Sequence, residues 1–230
     1  YKSKEAINIA RGNVARTIKA NPKEIYFTSC GSESDNLAIK GVARANRRKG
    51  NHIITSKIEH PAVLNTCRQL EREGFIVTYL NVDRYGKIDI NELKRSINNR
   101  TILVSIMFAN NEVGTIEPIK EIANIVHNYN AIFHTDAVQA IGNVEIDVKD
   151  MGIDLLSMSA HKFYGPKGVG ALYVKDGINF VPLQNGGHQE NDKRAGTENV
   201  AGIVGLGKAI EIANYQMQDR NQKILELRNY

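Results

Sequence analysis

Cysteine is scarce in this chain of 230 residues, which contains only Cys30 and Cys67. Two thiols are too few for a disulfide framework, and their spacing matches no zinc site. We therefore expect no bound metal and a reducing compartment, the cytoplasm. No apolar run approaches the roughly 20 residues that a membrane-spanning helix requires, and no signal peptide opens the sequence. We therefore expect no association with a membrane.

A strong excess of one charge is also missing, because 30 Lys and Arg stand against 25 Asp and Glu, a formal net charge of +5 at pH 7. The basic residues are scattered, and their densest group, Arg47-Arg48-Lys49, is typical of a solvated helix end. No basic stripe with interleaved aromatic residues is present, so we expect no direct contact with nucleic acid. The sequence starts and ends inside helical patterns, from which we expect that both ends have been cut.

Apolar segments and helical segments alternate along the chain. We predict strands at 25–28, 52–55, 75–80, 101–108, 131–134, 153–158 and 170–174, and helices at 3–19, 31–49, 61–74, 89–98, 118–128 and 201–230. This alternation indicates an α/β fold with a mostly parallel sheet. The strands are apolar throughout, as expected when helices cover both faces of the sheet. The polar stretch 182–196 is a predicted long loop.

An amine and a carboxylate follow two of the predicted strands. Lys162 comes after the apolar run 153–158, and Asp136 comes after the run 131–134. Pyridoxal 5'-phosphate (PLP) needs such a pair, because a lysine forms its Schiff base and a carboxylate keeps its pyridine nitrogen protonated. Each residue alone has a simpler explanation: lysine is usually solvated, and a buried acid can form a structural salt bridge.

Three further strand ends carry polar groups. Gly31 and Ser32 open a helix whose N-terminus could hold a phosphate, or Ser32 could be an ordinary N-cap. His60 could stack on a flat ring, or simply begin a helix. Asn110 and Asn111 suit either a turn or a hydrogen bond to a ring hydroxyl. Because ligands of doubly wound sheets bind outside the carboxyl ends of the strands, the set favours a single PLP site.

Five segments resemble the NifS/IscS-like cysteine desulfurases, which are class V aminotransferase relatives with the fold type I PLP architecture. The segments are TSCGSESDNL from Thr28, EHPAV from Glu59, NNEVG from Asn110, HTDAVQ from His134 and SAHKFYGPKG from Ser159. They follow the order and approximate spacing of the family. The resemblance implies that residues 1–230 form a PLP-binding large domain, with a mostly parallel seven-stranded sheet flanked by helices. The family's small C-terminal domain is absent from this sequence.

The resemblance also implies residue roles. Lys162 would carry the Schiff base, Asp136 would pair with the pyridine nitrogen, and Gln139 would bond the phenolic oxygen. His60 would stack on the ring and shuttle protons. Asn111 would contact the substrate carboxylate or the side of the ring. Lys162 and His60 are thus the implied catalytic residues.

The implied phosphate ligands come from several segments. They are Gly31, Ser32, Ser159 and His161. Thr197, in the run RAGT, would reach the phosphate of a neighbouring subunit, which implies a homodimer. One departure from the family is Cys30, which stands where glycine is usual.

The implied reaction converts L-cysteine to L-alanine and passes the sulfur to an enzyme cysteine as a persulfide. A sulfur-acceptor protein such as an iron–sulfur cluster scaffold would follow. The family's nucleophilic cysteine and its carboxylate-binding arginine would lie beyond residue 230, so we expect this chain alone to be inactive in sulfur transfer. Two alternatives remain: another class V enzyme, such as a selenocysteine lyase or a serine or phosphoserine aminotransferase, or a non-catalytic scaffold.

Overall fold

All seven predicted strands form, and they share one sheet in the computed structural model, which describes residues 1–230. The strands are β1 (Ile25–Thr28), β2 (His52–Ser56), β3 (Ile76–Leu80), β4 (Thr101–Ser105), β5 (Ile132–Asp136), β6 (Leu155–Ser159) and β7 (Gly170–Val174). Their order across the sheet is β1, β7, β6, β5, β4, β2, β3. Only β7 runs antiparallel to its neighbours, β1 and β6. The predicted mostly parallel α/β fold is confirmed.

Seven α-helices connect and flank the strands. They are α1 (Lys2–Thr17), α2 (Gly31–Asn46), α3 (Pro61–Arg72), α4 (Ile90–Ser96), α5 (Ile119–His127), α6 (Val200–Tyr215) and α7 (Met217–Asn229). The prediction of one helix from 201 to the end is wrong, because the chain turns at Gln216. Burial explains the break: the buried face of α6 ends at Ala213, and α7 buries no residue. None of the helices has the length and apolarity needed to cross a membrane.

Helices cover both faces of the sheet. Residues of α2 and α3 form one buried apolar cluster with it, and residues of α1, α5 and α6 form the other. Strands β2, β4, β6 and β7 are buried at every position, which explains why they do not alternate between apolar and polar residues. Gly207 lets α6 approach α1 closely, because a Cβ at this position would lie 2.6 Å from the Cβ of Ala10.

One edge of the sheet collects most of the loops that carry polar side chains. The parallel strands β2, β4, β5 and β6 all end at this edge. Strand β1 also ends there, because it is antiparallel to β7 and β7 is antiparallel to β6. The N-terminus of α2 and the N-terminus of α3 therefore lie at the same edge, where ligands of such sheets bind.

Candidate functional site

Helix α2 presents a free N-terminus at this edge. Cys30 occupies its N-cap position and makes no capping bond through its side chain, so first-turn N–H groups remain available to an acceptor. The N–H of Ser29 donates to the Glu33 carboxylate at 2.7 Å, which holds the turn before the helix. A Cβ on Gly31 would lie 2.7 Å from Cγ2 of Val138, so glycine is needed for this approach. The positive end of α2 thus suits an anion.

Strands β5 and β6 end side by side and place the carboxylate and the amine. Asp136 is the last residue of β5, and Ser159 is the last residue of β6. Lys162 lies in the 3₁₀ turn that follows β6 directly. The Ser159 hydroxyl and Nδ1 of His161 form a hydrogen bond of 3.0 Å. Oδ1 of Asp136 accepts from the N–H of Val138 at 2.9 Å, which orients a buried carboxyl.

His60 is the N-cap residue of α3, after the short loop 57–59 that follows β2. Its Nδ1 accepts from the N–H of Ala62 at 3.1 Å, so a neutral ring carries its proton on Nε2. The preceding Glu59 is buried. Oε1 of Glu59 accepts from the Ser56 hydroxyl at 2.8 Å and from the N–H of Met107 at 2.9 Å. Glu59 thereby fixes the position of His60 relative to the segment after β4.

The two consecutive amides have different surroundings. Oδ1 of Asn110 accepts from the N–H groups of Glu112 and Val113, both at 2.9 Å, and its Nδ2 donates to the Ile58 carbonyl at 3.0 Å. Asn110 therefore builds the turn, as the simpler explanation of this segment holds. Asn111 lines the cavity described next.

A cavity of about 240 Å³ lies at this edge of the sheet. All of the predicted site residues except Thr197 line it: Gly31, Ser32, His60, Asn111, Asp136, Gln139, Ser159, His161 and Lys162. These residues come from five separate segments of the chain, and the topology brings them together around one small space.

Thr197 lies apart from this cavity. It lines a second recess, next to Arg194. The guanidinium of Arg194 binds the Glu33 carboxylate at 2.7 Å and so holds the loop against the start of α2. In the same loop, Glu190 has a left-handed backbone with a φ of 47° and forms a buried ion pair with Arg11 at 2.7 Å.

Sequence reasoning missed two buried acids near the cavity, Asp35 and Glu59. Asp35 lines the cavity, and Glu59 supports His60. A signal was present for Asp35, since its neighbours Leu37 and Ala38 belong to the apolar face of α2 and a carboxyl rarely shares such a face. Glu59 gave no such signal, because an acid before a helix start is also common on the surface.

The carboxyl groups at this site are buried, and burial changes their pKa values. Burial raises the pKa of Asp136, while the Val138 N–H and the charge of Lys162 act in the opposite direction. Burial raises the pKa of Glu59 to about 8, so this acid is protonated at neutral pH. The cavity therefore favours a ligand that carries a cationic group for Asp136 and an anionic group for the end of α2.

The sheet, its strand order and its flanking helices are those of the fold type I PLP enzymes. The chain belongs to the class V aminotransferases, because the family model "Aminotransferase class-V" matches residues 1–230. The resemblance to cysteine desulfurases is confirmed by curated relatives named "Cysteine desulfurase IscS". The relative from Clostridium botulinum strain Hall is 63% identical over 99% of this chain and 57% of its own length. The relative from Methanosarcina thermophila is 60% identical over 99% of this chain and 56% of its own length.

Solved structures give the same result. The structure titled "NIFS-LIKE PROTEIN" matches with a TM-score of 0.97 and 43% identity, over 99% of this chain and 63% of that chain. A structure titled "SspA in complex with cysteine" matches with a TM-score of 0.88 and 49% identity, over 91% of this chain and 61% of that chain. The 230 residues thus span a little over half of the length of their curated relatives, 57% for the relative from Clostridium botulinum.

Class V aminotransferases and cysteine desulfurases are PLP-dependent enzymes. The cavity fits this cofactor in its chemistry. It offers an amine, a buried carboxylate and the free N-terminus of α2, where a side chain at Gly31 would collide with Val138. These groups match the aldehyde, the pyridine nitrogen and the phosphate of PLP, respectively.

Proposed function

We propose that this chain is the PLP-binding large domain of a cysteine desulfurase. The observation that carries the proposal is that Lys162 and Asp136 line one cavity with the open N-terminus of α2. In the proposed reaction, L-cysteine becomes L-alanine, and its sulfur passes to an enzyme thiol as a persulfide. The names of the relatives and the cysteine in the SspA title support cysteine as the substrate.

The phosphate would be held by groups from two segments. The first-turn N–H groups at Gly31 and Ser32 supply the positive end of α2, and the Ser32 hydroxyl adds a donor. Ser159 and His161, which are already hydrogen-bonded to each other, supply the other side. These contacts would hold the phosphate in the cavity that Lys162 also lines.

The reaction centre would be formed by Lys162, Asp136 and Gln139. PLP supplies an electron sink, which stabilises negative charge at the α-carbon of the amino acid. The Asp136 carboxylate keeps the ring nitrogen protonated, and the Gln139 amide donates to the phenolic oxygen. Nζ of Lys162 is the amine that would hold PLP covalently, and it would be the group that moves a proton at the α-carbon of the substrate.

His60 would cover the ring and exchange protons. Its imidazole is held at the start of α3 by the bond from the Ala62 N–H to Nδ1, so Nε2 is the nitrogen that exchanges the proton. Asn111 would contact the carboxylate of the substrate from the turn that Asn110 builds. Lys162 and His60 thus remain the proposed catalytic residues.

The thiol that accepts the sulfur would lie outside these 230 residues. Cys67 is buried in α3, and burial raises its pKa to about 12, so it supplies no thiolate. Cys30 is the N-cap residue of α2, on the proposed phosphate side of the cavity. A sulfur-acceptor protein, such as an iron–sulfur scaffold, would then take the persulfide sulfur. The free thiols support the cytoplasm as the compartment.

We also propose a homodimer, in which Thr197 binds the phosphate in the partner's cavity. Thr197 lies outside the cavity of its own chain, which supports this role. Thr197→Ser should retain PLP affinity, and Thr197→Ala should lower it. The oligomeric state and the affinity of each variant can be measured on the same samples. A wild-type chain that stays monomeric when it binds PLP, or equal PLP affinities of Thr197→Ala and the wild type, would contradict the proposal.

Two substitutions test the pairing of Asp136 with the ring. Removing one partner of a buried charge pair typically costs about 3–5 kcal/mol, whereas a neutral hydrogen bond contributes about 1 kcal/mol. Asp136→Ala should therefore weaken PLP binding by more than about a hundredfold, and Gln139→Ala by about tenfold or less. Equal affinities of the two variants in equilibrium dialysis would contradict the assignment.

Substrate specificity separates the proposal from its alternatives. We expect L-cysteine to change the visible spectrum of the PLP-loaded chain, without sustained release of alanine and sulfide. L-Serine, which has oxygen in place of sulfur, is the matched control. Amino transfer to a 2-oxo acid would favour an aminotransferase, and a folded chain that binds no PLP would favour a scaffold. Turnover of cysteine that disappears in Cys30→Ser would place the sulfur-accepting thiol inside this chain.

A further inference from the structure

Asp35 is a second buried carboxyl at the cavity, and none of the roles described above uses it. It lies on the buried face of α2, is 1% exposed and lines the cavity together with Asp136. Its Oδ1 is fully enclosed and has no hydrogen-bond partner. An ionised carboxylate in such a place needs a cation or several donors, so the surroundings of Asp35 decide its charge.

No cation compensates Asp35. The nearest basic group is His134, whose Nε2 lies 3.7 Å from Oδ1 of Asp35. His134 is fully buried and hydrogen-bonded at both ring nitrogens, to Ser105 at 2.8 Å and to Ser157 at 3.0 Å. Burial lowers the pKa of His134 to about 3, so its ring is neutral. A neutral imidazole cannot balance a carboxylate charge.

The other groups around Asp35 are acidic or polar. Asp136 approaches from β5, Glu59 from the loop after β2, and Cys30 from the start of α2, while the Ser157 hydroxyl on β6 favours the ionised form of Asp35. Burial, followed by the charge of Asp136, raises the pKa of Asp35 well above its ordinary value. A negative charge on Asp136 therefore disfavours ionisation of Asp35.

The proton of this pair belongs on Asp35. Asp136 receives the N–H of Val138 at 2.9 Å and lies near the positive charge of Lys162, and both favour its ionised form. For Asp35 the group that favours ionisation is the Ser157 hydroxyl, which is also hydrogen-bonded to Nε2 of His134. The surroundings of Asp136 therefore favour its ionised form more than the surroundings of Asp35 do.

We propose that Asp35 is a positioning residue that holds one proton beside Asp136, so that the pair offers a single negative charge to the ring nitrogen of PLP. The part of this inference that concerns PLP rests on the proposed function; the location of the proton does not. A cationic ring beside Asp136 offsets the negative charge of Asp136 and so weakens its repulsion of an ionised Asp35. Binding of the ring should therefore lower the pH at which Asp35 loses its proton. By reciprocity, loss of the Asp35 proton should tighten binding of the ring.

Carbon-13 NMR of the aspartate side-chain carboxyls in the full chain tests where the proton resides. We expect one aspartate to remain protonated at neutral pH and its signal to be missing in Asp35→Asn. In Asp136→Asn a neighbouring negative charge is gone, so the protonated aspartate signal should persist and titrate at lower pH than in the wild type. This second variant identifies the residue even if Asp35→Asn does not fold. Ionisation of every aspartate at neutral pH, or loss of the signal in Asp136→Asn, would overturn the proposal.

Binding of pyridoxine 5'-phosphate tests the linkage, because this probe lacks the aldehyde that reacts with Lys162. In the wild-type chain its affinity should rise as the pH passes through the titration of Asp35, by the same factor by which the probe shifts that titration. Asp35→Asn should lose this rise. A rise of equal size in Asp35→Asn would overturn the inference. If neither this probe nor PLP binds the folded chain, the proposed function fails, and the NMR titration alone decides the charge of Asp35.

Discussion

Replacing Glu59 with glutamine measures how much the titration of a buried acid changes the free energy of unfolding. Oε2 of Glu59 is enclosed without a hydrogen-bond partner. Burial raises its pKa from 4.5 to about 8, against the opposing effect of the bonds from Met107 and Ser56. The native chain therefore keeps Glu59 protonated at neutral pH, while the unfolded chain ionises it. Glutamine retains an oxygen for both donors but does not titrate.

The direction of the pH dependence follows from these two pKa values. Between pH 4.5 and about 8, the native state binds more protons at Glu59 than the unfolded state does. The contribution of Glu59 to the free energy of unfolding is thus largest at low pH. It falls as the pH rises through this window and is constant above about 8. Each pH unit is worth about 1.4 kcal/mol, so the step from pH 5 to pH 7 should remove about 2–3 kcal/mol.

Urea unfolding of both chains at pH 5, 6 and 7 measures this effect. The stability of Glu59→Gln relative to the wild type should increase by about 2–3 kcal/mol across the series, whatever the difference at pH 5. Glu226→Gln is the matched control, because Glu226 is exposed on α7 and its curve should stay parallel to the wild type. If the curve of Glu59→Gln is also parallel to the wild type, Glu59 is ionised in the native chain and the reasoning is refuted.

Three further predictions concern the packing around the site. Gly31→Ala should cost about 1–3 kcal/mol, because its Cβ would meet Val138 at 2.7 Å, and the double variant with Val138→Ala should recover part of this loss in urea unfolding. Arg11→Ala should cost about 3–5 kcal/mol, because it leaves the buried Glu190 carboxylate without its cation, whereas a loss under about 1 kcal/mol would mean a solvated pair. Cys67 should react with a thiol reagent only as fast as the chain unfolds, and rapid labelling in the native state would contradict its burial.

Much of the fold and site could be predicted because the information is local. The apolar runs 131–134 and 153–158, which precede Asp136 and Ser159, indicated strands without any knowledge of their neighbours. The glycine and serine after β1 indicated a helix N-terminus. One general property of parallel sheets, that strand ends meet at one edge, then brought distant residues such as His60 and Lys162 to the same cavity.

The rest depended on contacts that the sequence does not display. The surroundings of the buried Asp35 include Asp136 and His134, which lie about 100 positions away on β5, and the sequence does not display these contacts. The break at Gln216 depends on where α6 leaves the core, since α6 and α7 differ in burial more than in helical character. The αL backbone of Glu190 is held by Arg11 on α1, a contact between the two ends of the chain.

The most direct test of the central claim is where PLP attaches. The chain should be incubated with PLP, reduced with borohydride, digested and analysed by peptide mass spectrometry. The account predicts a yellow chain, loss of the colour on reduction, and the modification on the peptide that contains Lys162. Lys162→Ala should lose the covalent label and retain some bound ligand through the phosphate contacts. A folded wild-type chain that takes up no PLP, or that is labelled only at other lysines, would contradict the account.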